Sequence, residues 1–390
     1  MQNDLLRAVD DNKEAILILL DLSAAFDTID HTMLLTRLRE RYGVTEVALK
    51  WFGSYLSERD QSVVIGKTVS ENHPLIYGVP QGSVVGPIQF ILYSGPIQDI
   101  LNAHGISGMV YADDTQVYIM FDPSASTQAI ASIEACVSDI RAWATSNKLK
   151  INDAKTEIVH ISSRFRSKTT APSVQVGTAD IKPVEGVRDL GVFIDNQLTM
   201  SNHVSNVCRT ALYALRSISQ LRKYLDKTTT ERLVHAFISS RLDSCNCLLY
   251  GLPDADIAKL QRVQNSAARL VVGARRRDHI QPILQDLHWL PIRKRILFKM
   301  LLLVYKSLAN LAPLYISELL TPYVPSRTLR SSSKGLLQIP RASRSAKSGY
   351  GKKAFSIAAP YEWNSLPESV RSAKSVQCFK KSLKTHLFNL

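Results

Sequence analysis

The sequence predicts an α+β domain followed by an all-α region. Over the first 195 residues, short apolar runs that are typical of strands alternate with segments of helical periodicity. That order favours an antiparallel sheet with helices on one face. Beyond residue 200, apolar residues recur at intervals of three and four, as along 204–218 and 257–270, which indicates amphipathic helices.

The first strand and helix are the clearest elements of this pattern. Residues 15–20 (AILILL) form a continuous apolar run that predicts a buried strand delivering Asp21 to a surface. Residues 30–42 predict a helix with Asp30 as its N-cap, and His31 is assigned to the helix start rather than to catalysis. The later elements are predicted as strands at 62–66 and 75–78, a helix at 90–101 interrupted near 95–96, a hairpin at 110–118, a helix at 126–148, and strands at 155–161 and 190–195.

The composition changes along the chain and suggests three parts. We expect a domain over residues 1–195, a helical domain over 196–275 and a basic extension over 276–390. Within the extension, residues 325–351 are rich in Ser and Arg and nearly free of acids, which predicts a flexible linker.

The charge of the chain is divided unequally. Residues 1–160 carry 12 Lys and Arg against 20 Asp and Glu, whereas residues 161–390 carry 36 against 14. A surplus this one-sided favours a polyanionic partner, and nucleic acid is the first candidate. An anionic membrane surface is less favoured because no strongly amphipathic basic helix supports it.

The cellular compartment of the protein is predicted from the sequence features of membrane and secreted proteins that this sequence lacks. No run of 18 or more apolar residues and no signal-peptide pattern is present, so a membrane span or secretion is not expected. The five cysteines are few, odd in number and scattered, which suits a reducing compartment. An intracellular location, nuclear or cytoplasmic, is therefore predicted.

Three carboxylates stand out as candidate catalytic residues. Asp21 ends a predicted strand, and Asp113 and Asp114 stand between two strand-like runs. If these strands lie side by side, the three acids converge, and their repulsion must be offset. Two Mg²⁺ ions would do so and would form the clamp used for phosphoryl displacement. A solvated hairpin tip is the plainer interpretation of the Asp113–Asp114 pair alone.

Several segments of the chain resemble the reverse transcriptases of non-LTR retrotransposons, in particular jockey-like LINE elements. The polymerase core is similar in its ordered motifs, namely motif A at 20–31 (LDLSAAFDTIDH), motif B at 78–83 (GVPQGS), motif C at 111–114 (YADD), motif D at 149–157 (LKINDAKTE) and a following strand-forming motif at 190–192 (LGV). Segments 288–295 (HWLPIRKR) and 363–367 (WNSLP) resemble the C-terminal region of the same elements. Because motif A begins so near residue 1, we expect a chain that is truncated upstream of it.

The resemblance implies a polymerase palm, a helical thumb and a C-terminal helical extension. It also implies an RNA-directed DNA polymerase that extends a DNA primer or target 3′-hydroxyl with dNTPs on an RNA template, using two Mg²⁺ ions, or Mn²⁺, for phosphoryl transfer. Carried over position by position, the implied roles are metal binding and catalysis for Asp21, Asp113 and Asp114, a supporting carbonyl for Leu22, a steric gate for Phe26, contact with the nucleotide for Gln81 and Gly82, and a phosphate contact or proton donor for Lys155.

For some of these residues, an ordinary structural role remains an alternative. Phe26 also suits core packing, and Lys155 also suits a solvated position at a strand end. Trp289 is as well explained by packing as by stacking on a base. The basic runs Arg275, Arg276, Arg277 and Arg293, Lys294, Arg295 are expected to contact phosphates without reading sequence.

Two other functions are consistent with the same motifs. The first is a catalytically inactive remnant that still binds nucleic acid. The second is an RNA-dependent RNA polymerase, which a bulky Phe26 argues against because the ring would reject a ribose hydroxyl. The oligomeric state is not predicted.

Overall fold

The structure is a computed structural model that describes residues 1–80, 82–164, 173–325, 335–340 and 349–390. These residues form two compact units. The first unit comprises Met1 and Lys13–Val187, and the second comprises Gln2–Asn12 and Arg188–Leu390. The first helix of the chain therefore belongs to the same unit as its last helices.

The elements follow one another as short strands and medium-length helices. The α-helices of the described chain are α1 Gln2–Asp10, α2 His31–Glu40, α3 Glu46–Leu56, α4 Gly86–Ser94, α5 Pro96–Ala103, α6 Ser126–Ser146, α7 Ser201–Leu221, α8 Lys227–Val234, α9 Ser240–Asp243, α10 Asp254–Val272, α11 Ile280–Asp286, α12 Ile292–Leu308, α13 Leu314–Ser317, α14 Phe355–Ser365, α15 Glu368–Arg371 and α16 Val376–Asn389. The strands are β1 Glu14–Leu20, β2 Leu22–Ser23, β3 Asp60–Gln61, β4 Val64–Ile65, β5 Thr68–Val69, β6 His73–Pro74, β7 Ser107–Tyr111, β8 Asp114–Phe121, β9 Lys150–Ile151, β10 Glu157–Ile161, β11 Val174–Val176, β12 Ala179–Ile181, β13 Gly186–Asp189 and β14 Val192–Asp195.

A four-stranded antiparallel sheet organises the first unit. Its strand order is β10-β1-β8-β7, so β1 has a partner on each side. Leu17 lies opposite Val159 on one neighbour and opposite Tyr118 on the other. A strand paired on both edges and covered on both faces reads as an unbroken apolar run, which is why the AILILL segment takes this position.

One face of β1 enters the main core of this unit. Ile16, Ile18 and Leu20 point to the same side because successive side chains of a strand alternate. They share that core with residues of α6 such as Ile133 and Ile140. Each fully buried aliphatic side chain contributes about 1.5–3 kcal/mol of transfer free energy, so the end of β1 is firmly held.

The helix and sheet content confirms the α+β prediction, and several elements match it closely. The Asp30 cap is confirmed, because its carboxylate accepts a hydrogen bond of 2.9 Å from the Met33 N–H at the start of α2. The predicted break in the helix at 90–101 is also confirmed. Gly95 separates α4 from α5, and Pro96 begins α5.

The strand predicted at 75–78 is wrong. Strand β6 ends at Pro74. Beyond it the Leu75 N–H donates to the Arg59 carbonyl at 2.7 Å and Tyr77 forms an isolated bridge with Asp30, but residues 75–78 form no strand. Gly78 has a φ of 81°, in the left-handed region, which ends extended backbone. The strand predicted at 190–195 is present as β14, but its partner β13 and the hairpin β11–β12 were not predicted, because strands of three or four residues are too short to show alternation. The expected linker at 325–351 lies mostly outside the described residues.

The second unit is almost entirely helical within its described ranges. A buried aromatic cluster forms one of its cores, in which Phe379 stacks on Tyr305 with ring centroids 4.3 Å apart and lies 5.8 Å from Trp363. Helix α1 is attached to the same unit by the Asn3 side chain, which accepts a hydrogen bond of 2.9 Å from the Ser356 N–H.

Two further observations concern compartment. In the part of the chain that the structure describes, no helix combines the length and the apolar character needed to cross a membrane. All five cysteines are free thiols.

Replacing Phe379 with Ala should lower the free energy of unfolding of the second unit by about 3–5 kcal/mol, since the large ring leaves a cavity. Urea denaturation followed by circular dichroism would measure the change. Phe237→Ala is the matched control because that ring is 48% exposed, and it should cost less than about 1 kcal/mol. Equal destabilisation by both variants would contradict the assignment of this core.

Candidate active site

The end of β1 and the β7–β8 hairpin bring two acidic segments together. In the antiparallel pairing of β1 with β8, Leu20 lies opposite Thr115. One further step along this register brings Asp21 beside Asp114. The two predicted acidic positions therefore become neighbours through backbone pairing, without any interaction between the carboxylates themselves.

Asp113 stands at the tip of the hairpin. Tyr111 pairs with Asp114, so Ala112 and Asp113 form a two-residue loop. Ala112 has a φ of 53°, which costs an ordinary side chain about 1–3 kcal/mol of backbone strain. Such strain persists only where the surrounding pairing enforces it, and here the enforced turn places Asp113 against a cavity.

A cavity of about 500 Å³ joins the predicted motifs. It lies within the usual size range of small-molecule sites. Its walls come from the segment after β1, the loop before α4, the hairpin tip and the segment after β9, and they are Asp21, Leu22, Ala24, Ala25, Phe26, Pro80, Gly82, Ser83, Pro87, Asp113 and Lys155. Six of the predicted site residues thus share one space, namely Asp21, Leu22, Phe26, Gly82, Asp113 and Lys155. Gln81 lies outside the described residues.

Asp21 and Lys155 interact inside this cavity. Lys155 Nζ lies 3.3 Å from Asp21 Oδ2. The backbone brings them together, because β2 pairs with β9 and the Asn152 N–H donates to the Asp21 carbonyl at 2.9 Å. Asp21 Oδ2 is buried and accepts no hydrogen bond from the described residues. The 68% exposed lysine is therefore free to leave this carboxylate for another anion.

The three carboxylates interact electrostatically. Loss of hydration, with smaller contributions from the charges of Asp113 and Asp21, raises the pKa of Asp114. Within the described ranges, no three His, Cys, Asp or Glu side chains are gathered closely enough to enclose a metal ion. The oxygen donors, their mutual repulsion and the unbonded Asp21 Oδ2 nonetheless fit a hard divalent cation.

Phe26 both packs and lines the cavity. Its half-buried ring contacts the main core and lies 5.2 Å from the Phe90 ring, tilted by 35°. Packing and a boundary role are therefore not exclusive alternatives. A ring held from behind by Phe90 presents a rigid edge to whatever enters the cavity.

Ser83 is a site residue that the sequence interpretation missed. Its hydroxyl donates to the Pro80 carbonyl at 2.8 Å and accepts from the Gly86 N–H at 3.0 Å. A Cβ on Gly86 would stand 2.8 Å from that hydroxyl oxygen. The available signal was a Ser inside a loop rich in Gly and Pro, where Ser hydroxyls often bond to nearby backbone groups.

The second unit carries a basic groove that was also missed. Two cavities of about 710 and 830 Å³ share Leu212, Arg216, Arg262 and Ser266 in their linings, so they are continuous. We call this feature the α7–α10 groove. Its cationic residues are Arg209, Arg216, Arg222, Lys259, Arg262, Arg269 and Arg276, and its described lining contains no Asp or Glu.

The arginines of the groove are spaced for one helix face. Arg209 and Arg216 are seven residues apart on α7, and Arg262 and Arg269 are seven residues apart on α10. Seven residues are close to two helical turns, so each pair projects to one side. Exposed Tyr213 adds an aromatic surface beside them.

The basic runs named from sequence have mixed surroundings. Arg276 lines the groove, and Arg275 and Arg277 are exposed. Arg293 forms an ion pair with Asp254, and Arg295 forms one with Asp243. Lys294 is half-buried beside them. Trp289 is buried, and its ring centroid lies 5.2 Å from that of His235 with the planes tilted by 55°, so it is a packing residue.

Comparison with known proteins gives the class of this fold and site. Residues 3–194 match the family described as reverse transcriptase (RNA-dependent DNA polymerase). The matched range contains the four-stranded sheet and the cavity, so the region that holds the candidate site is similar to a reverse transcriptase domain.

The curated proteins that the chain resembles include RNA-directed DNA polymerases of mobile elements. The chain is 28% identical over 283 residues to a probable RNA-directed DNA polymerase from transposon X-element of Drosophila melanogaster, covering 69% of this chain and 29% of that protein. It is 25% identical over 284 residues to the RNA-directed DNA polymerase from mobile element jockey of the same organism, covering 70% and 30%. The predicted resemblance to non-LTR retrotransposon polymerases is thereby confirmed. The chain spans about 30% of the length of these relatives.

Among solved structures, a telomerase from Candida albicans in complex with a fragment of telomeric RNA matches with a TM-score of 0.33 and 13% identity. The match covers 76% of this chain and 51% of that one. A likeness at this level carries no argument about the site.

Replacing Asp114 with Asn should raise the thermal midpoint of the metal-free protein at pH 7. The raised pKa means that folding favours the protonated carboxyl, so the ionised form destabilises the fold at neutral pH. The cost is complete above the raised pKa and vanishes as the pH falls below the ordinary value of 3.8. The gain in midpoint should therefore disappear at low pH, as measured by differential scanning calorimetry.

The control for this prediction is Asp122→Asn, which changes an exposed carboxylate at the far end of β8. It should leave the midpoint nearly unchanged at both pH values. A gain from Asp114→Asn that is independent of pH would contradict the electrostatic origin.

Proposed function

We propose that this chain is an RNA-directed DNA polymerase, which extends a DNA primer or target 3′-hydroxyl with dNTPs on an RNA template. The observation that carries the proposal is the shared cavity of Asp21, Asp113 and Phe26 in a domain of the reverse transcriptase family. A nucleotide pocket needs oxygen donors for a metal, a boundary for the sugar and a cation for phosphate. All three line this cavity.

The acidic residues would hold the metal ions. Two Mg²⁺ ions, or Mn²⁺ in their place, would lower the pKa of the primer hydroxyl and neutralise the triphosphate when bound. Asp21 and Asp113 supply carboxylates from two paired backbone segments, and Asp114 supplies a third beside them. The Leu22 carbonyl is proposed as a further oxygen donor. The role of this chain is then positioning and charge stabilisation.

The cavity wall would select the sugar. Phe26 is half-buried and backed by Phe90, so it cannot yield easily to a larger ligand. We assign it as a steric gate that rejects a 2′-hydroxyl by collision. This assignment disfavours an RNA-dependent RNA polymerase.

The opposite parts of the wall would contact the rest of the nucleotide. Gly82 is exposed with a φ of 80°, which allows close approach of its backbone, and Gln81 is adjacent to it in sequence. Lys155 would leave Asp21 to pair with a phosphate oxygen or to protonate the leaving pyrophosphate.

The α7–α10 groove would hold nucleic acid. A channel of cationic side chains without acids suits a phosphate backbone, and it binds without reading sequence. Arg276 extends this surface, and Arg275, Arg277, Arg293, Lys294 and Arg295 are retained as further phosphate contacts. The groove lies at 205–276. This range supports our division of the chain into a palm at 1–195, a thumb at 196–275 and a C-terminal extension at 276–390.

A second candidate is a remnant that binds nucleic acid but does not polymerise. The groove favours it, because its cations belong to a unit that folds around its own core and contains none of the three carboxylates. Salt-sensitive RNA binding by a chain that incorporates no dNTP would select this second function.

Asp113→Asn should reduce primer extension on an RNA template by about 10²–10³-fold, since one charged donor is lost where charge develops. Incorporation of labelled dNTP in Mg²⁺ would measure it, with Asp122→Asn as the control that retains activity. Extension that survives Asp113→Asn unchanged would rule out this cavity as the active site.

The pair Arg216→Ala and Arg262→Ala should weaken RNA binding and reduce its salt dependence. Each lost phosphate contact lowers the slope of log K against log[salt] by about 0.7 for a single strand, so the double variant should lose about 1.4. Fluorescence anisotropy across a salt series would measure the slope.

The matched control removes the same charge elsewhere in the second unit, by Arg232→Ala with Arg241→Ala. Both residues are exposed and lie outside the groove lining. An equal loss of slope in both double variants would mean that general charge, rather than the groove, binds the RNA.

A further inference from the structure

We propose that His31 is a positioning residue, which fastens the backbone before the Pro80–Ser83 loop to the loop that carries Phe26 and so fixes the width of the nucleotide cavity. The proposal rests on the proposed function, because it concerns the same cavity. Nothing in the sequence interpretation assigned His31 beyond the start of α2.

The contact itself spans two distant segments. His31 Nε2 lies 2.7 Å from the carbonyl oxygen of Gly78, which is 47 residues away in sequence. A carbonyl only accepts, so Nε2 carries the proton and donates. Gly78 is buried, and loss of this donor would leave its carbonyl without the partner that a buried polar group requires.

The hydrogen bond completes a short ladder between the two segments. The Gly78 N–H donates to the Ile29 carbonyl at 2.8 Å, and the Val79 N–H donates to the Phe26 carbonyl at 2.8 Å. The His31 side chain adds the third hydrogen bond, to the Gly78 carbonyl. The three bonds thus hold the segment 26–31 against Gly78 and Val79, directly beside the residues that line the cavity.

The approach of the two segments is unusually close. Gly78 has a φ of 81°, and a Cβ at this position would stand 2.8 Å from the Asp27 carbonyl oxygen. No other residue fits without movement of the backbone. A glycine that is free to rotate needs an external restraint, and the imidazole supplies it by holding the Gly78 carbonyl in one direction.

The ladder also affects the wall of the cavity that is proposed to select the sugar. The Phe26 carbonyl accepts one hydrogen bond of the ladder, and the Phe26 ring lines the cavity. On the other side of the ladder, Pro80 and Gly82 line the cavity directly after Val79. The separation between ring and loop therefore depends on the ladder. A looser ladder would widen this gap and admit a ribose hydroxyl that the ring otherwise rejects.

Two variants separate the hydrogen bond from simple packing. His31→Phe keeps a ring and removes the donor, whereas His31→Gln keeps a donor at a similar reach. His104→Phe is the matched control, because His104 Nε2 bonds the Asp139 carboxylate at 2.7 Å elsewhere in the same unit. Far-UV circular dichroism would establish that each variant is folded.

The first measurement is amide hydrogen exchange at Gly78 and Val79 in the free protein. His31→Phe should speed exchange at both amides by about three- to tenfold, the effect expected from one lost hydrogen bond. His31→Gln and His104→Phe should exchange like the unmodified chain. Unchanged exchange in a folded His31→Phe protein would overturn the proposal.

The second measurement is the ratio of dNTP to rNTP incorporation, separated into kcat and KM. His31→Phe should lower this ratio, chiefly through a lower KM for rNTP, and His31→Gln should restore it. An altered exchange rate with an unchanged ratio would overturn the link to cavity width. Failure of the proposed function would instead appear as no incorporation by the unmodified chain, and hydrogen exchange would still decide the role of His31.

Discussion

The antiparallel pairing of β1 with β8 is the constraint on which the candidate site depends. Burial of β1 between two strands fixes the register, and a slip of one residue would turn its whole apolar face away from the core. The register therefore places Asp21 beside Asp114, and the stability of the sheet maintains this placement. Hydrophobic burial holds together acids whose charges, left alone, would separate.

Electrostatics then distinguishes the two units. In the first unit, loss of hydration together with the nearby charges of Asp113 and Asp21 raises the pKa of Asp114, and Lys155 compensates Asp21 only at the cavity surface. In the second unit, cations line a groove with no acid among its described walls. Each surface carries a surplus of one sign of charge, although Lys155 pairs with Asp21 and Lys259 pairs with Asp256. The proposed ligands, a metal-bound nucleotide for the first unit and a phosphodiester backbone for the second, carry the complementary charges.

Much of the fold and several residues of the candidate site could be predicted from sequence, because the signals there are local. An unbroken apolar run ending in Asp21 marks a central strand and its outlet, and Asp30 marks a helix start. The failures have equally physical causes. The strand predicted at 75–78 is wrong because Gly78 has a positive φ, which the apolar residues beside it do not indicate. Arg216 and Arg262 were not predicted as site residues. Residues on one face of a helix are separated by several positions in sequence, so charges that are close in space do not form a run.

The placement of α1 has a consequence for synthesis. Its residue Asn3 bonds the backbone of Ser356, and the Gln2 amide reaches the Leu248 carbonyl at 3.3 Å. The partner at position 356 is translated 353 residues after Asn3. At about 5–20 residues per second, that delay is roughly 20–70 s. During that time the hydrogen bond between Asn3 and Ser356 cannot form, so the attachment of α1 to its own unit is completed only late in synthesis.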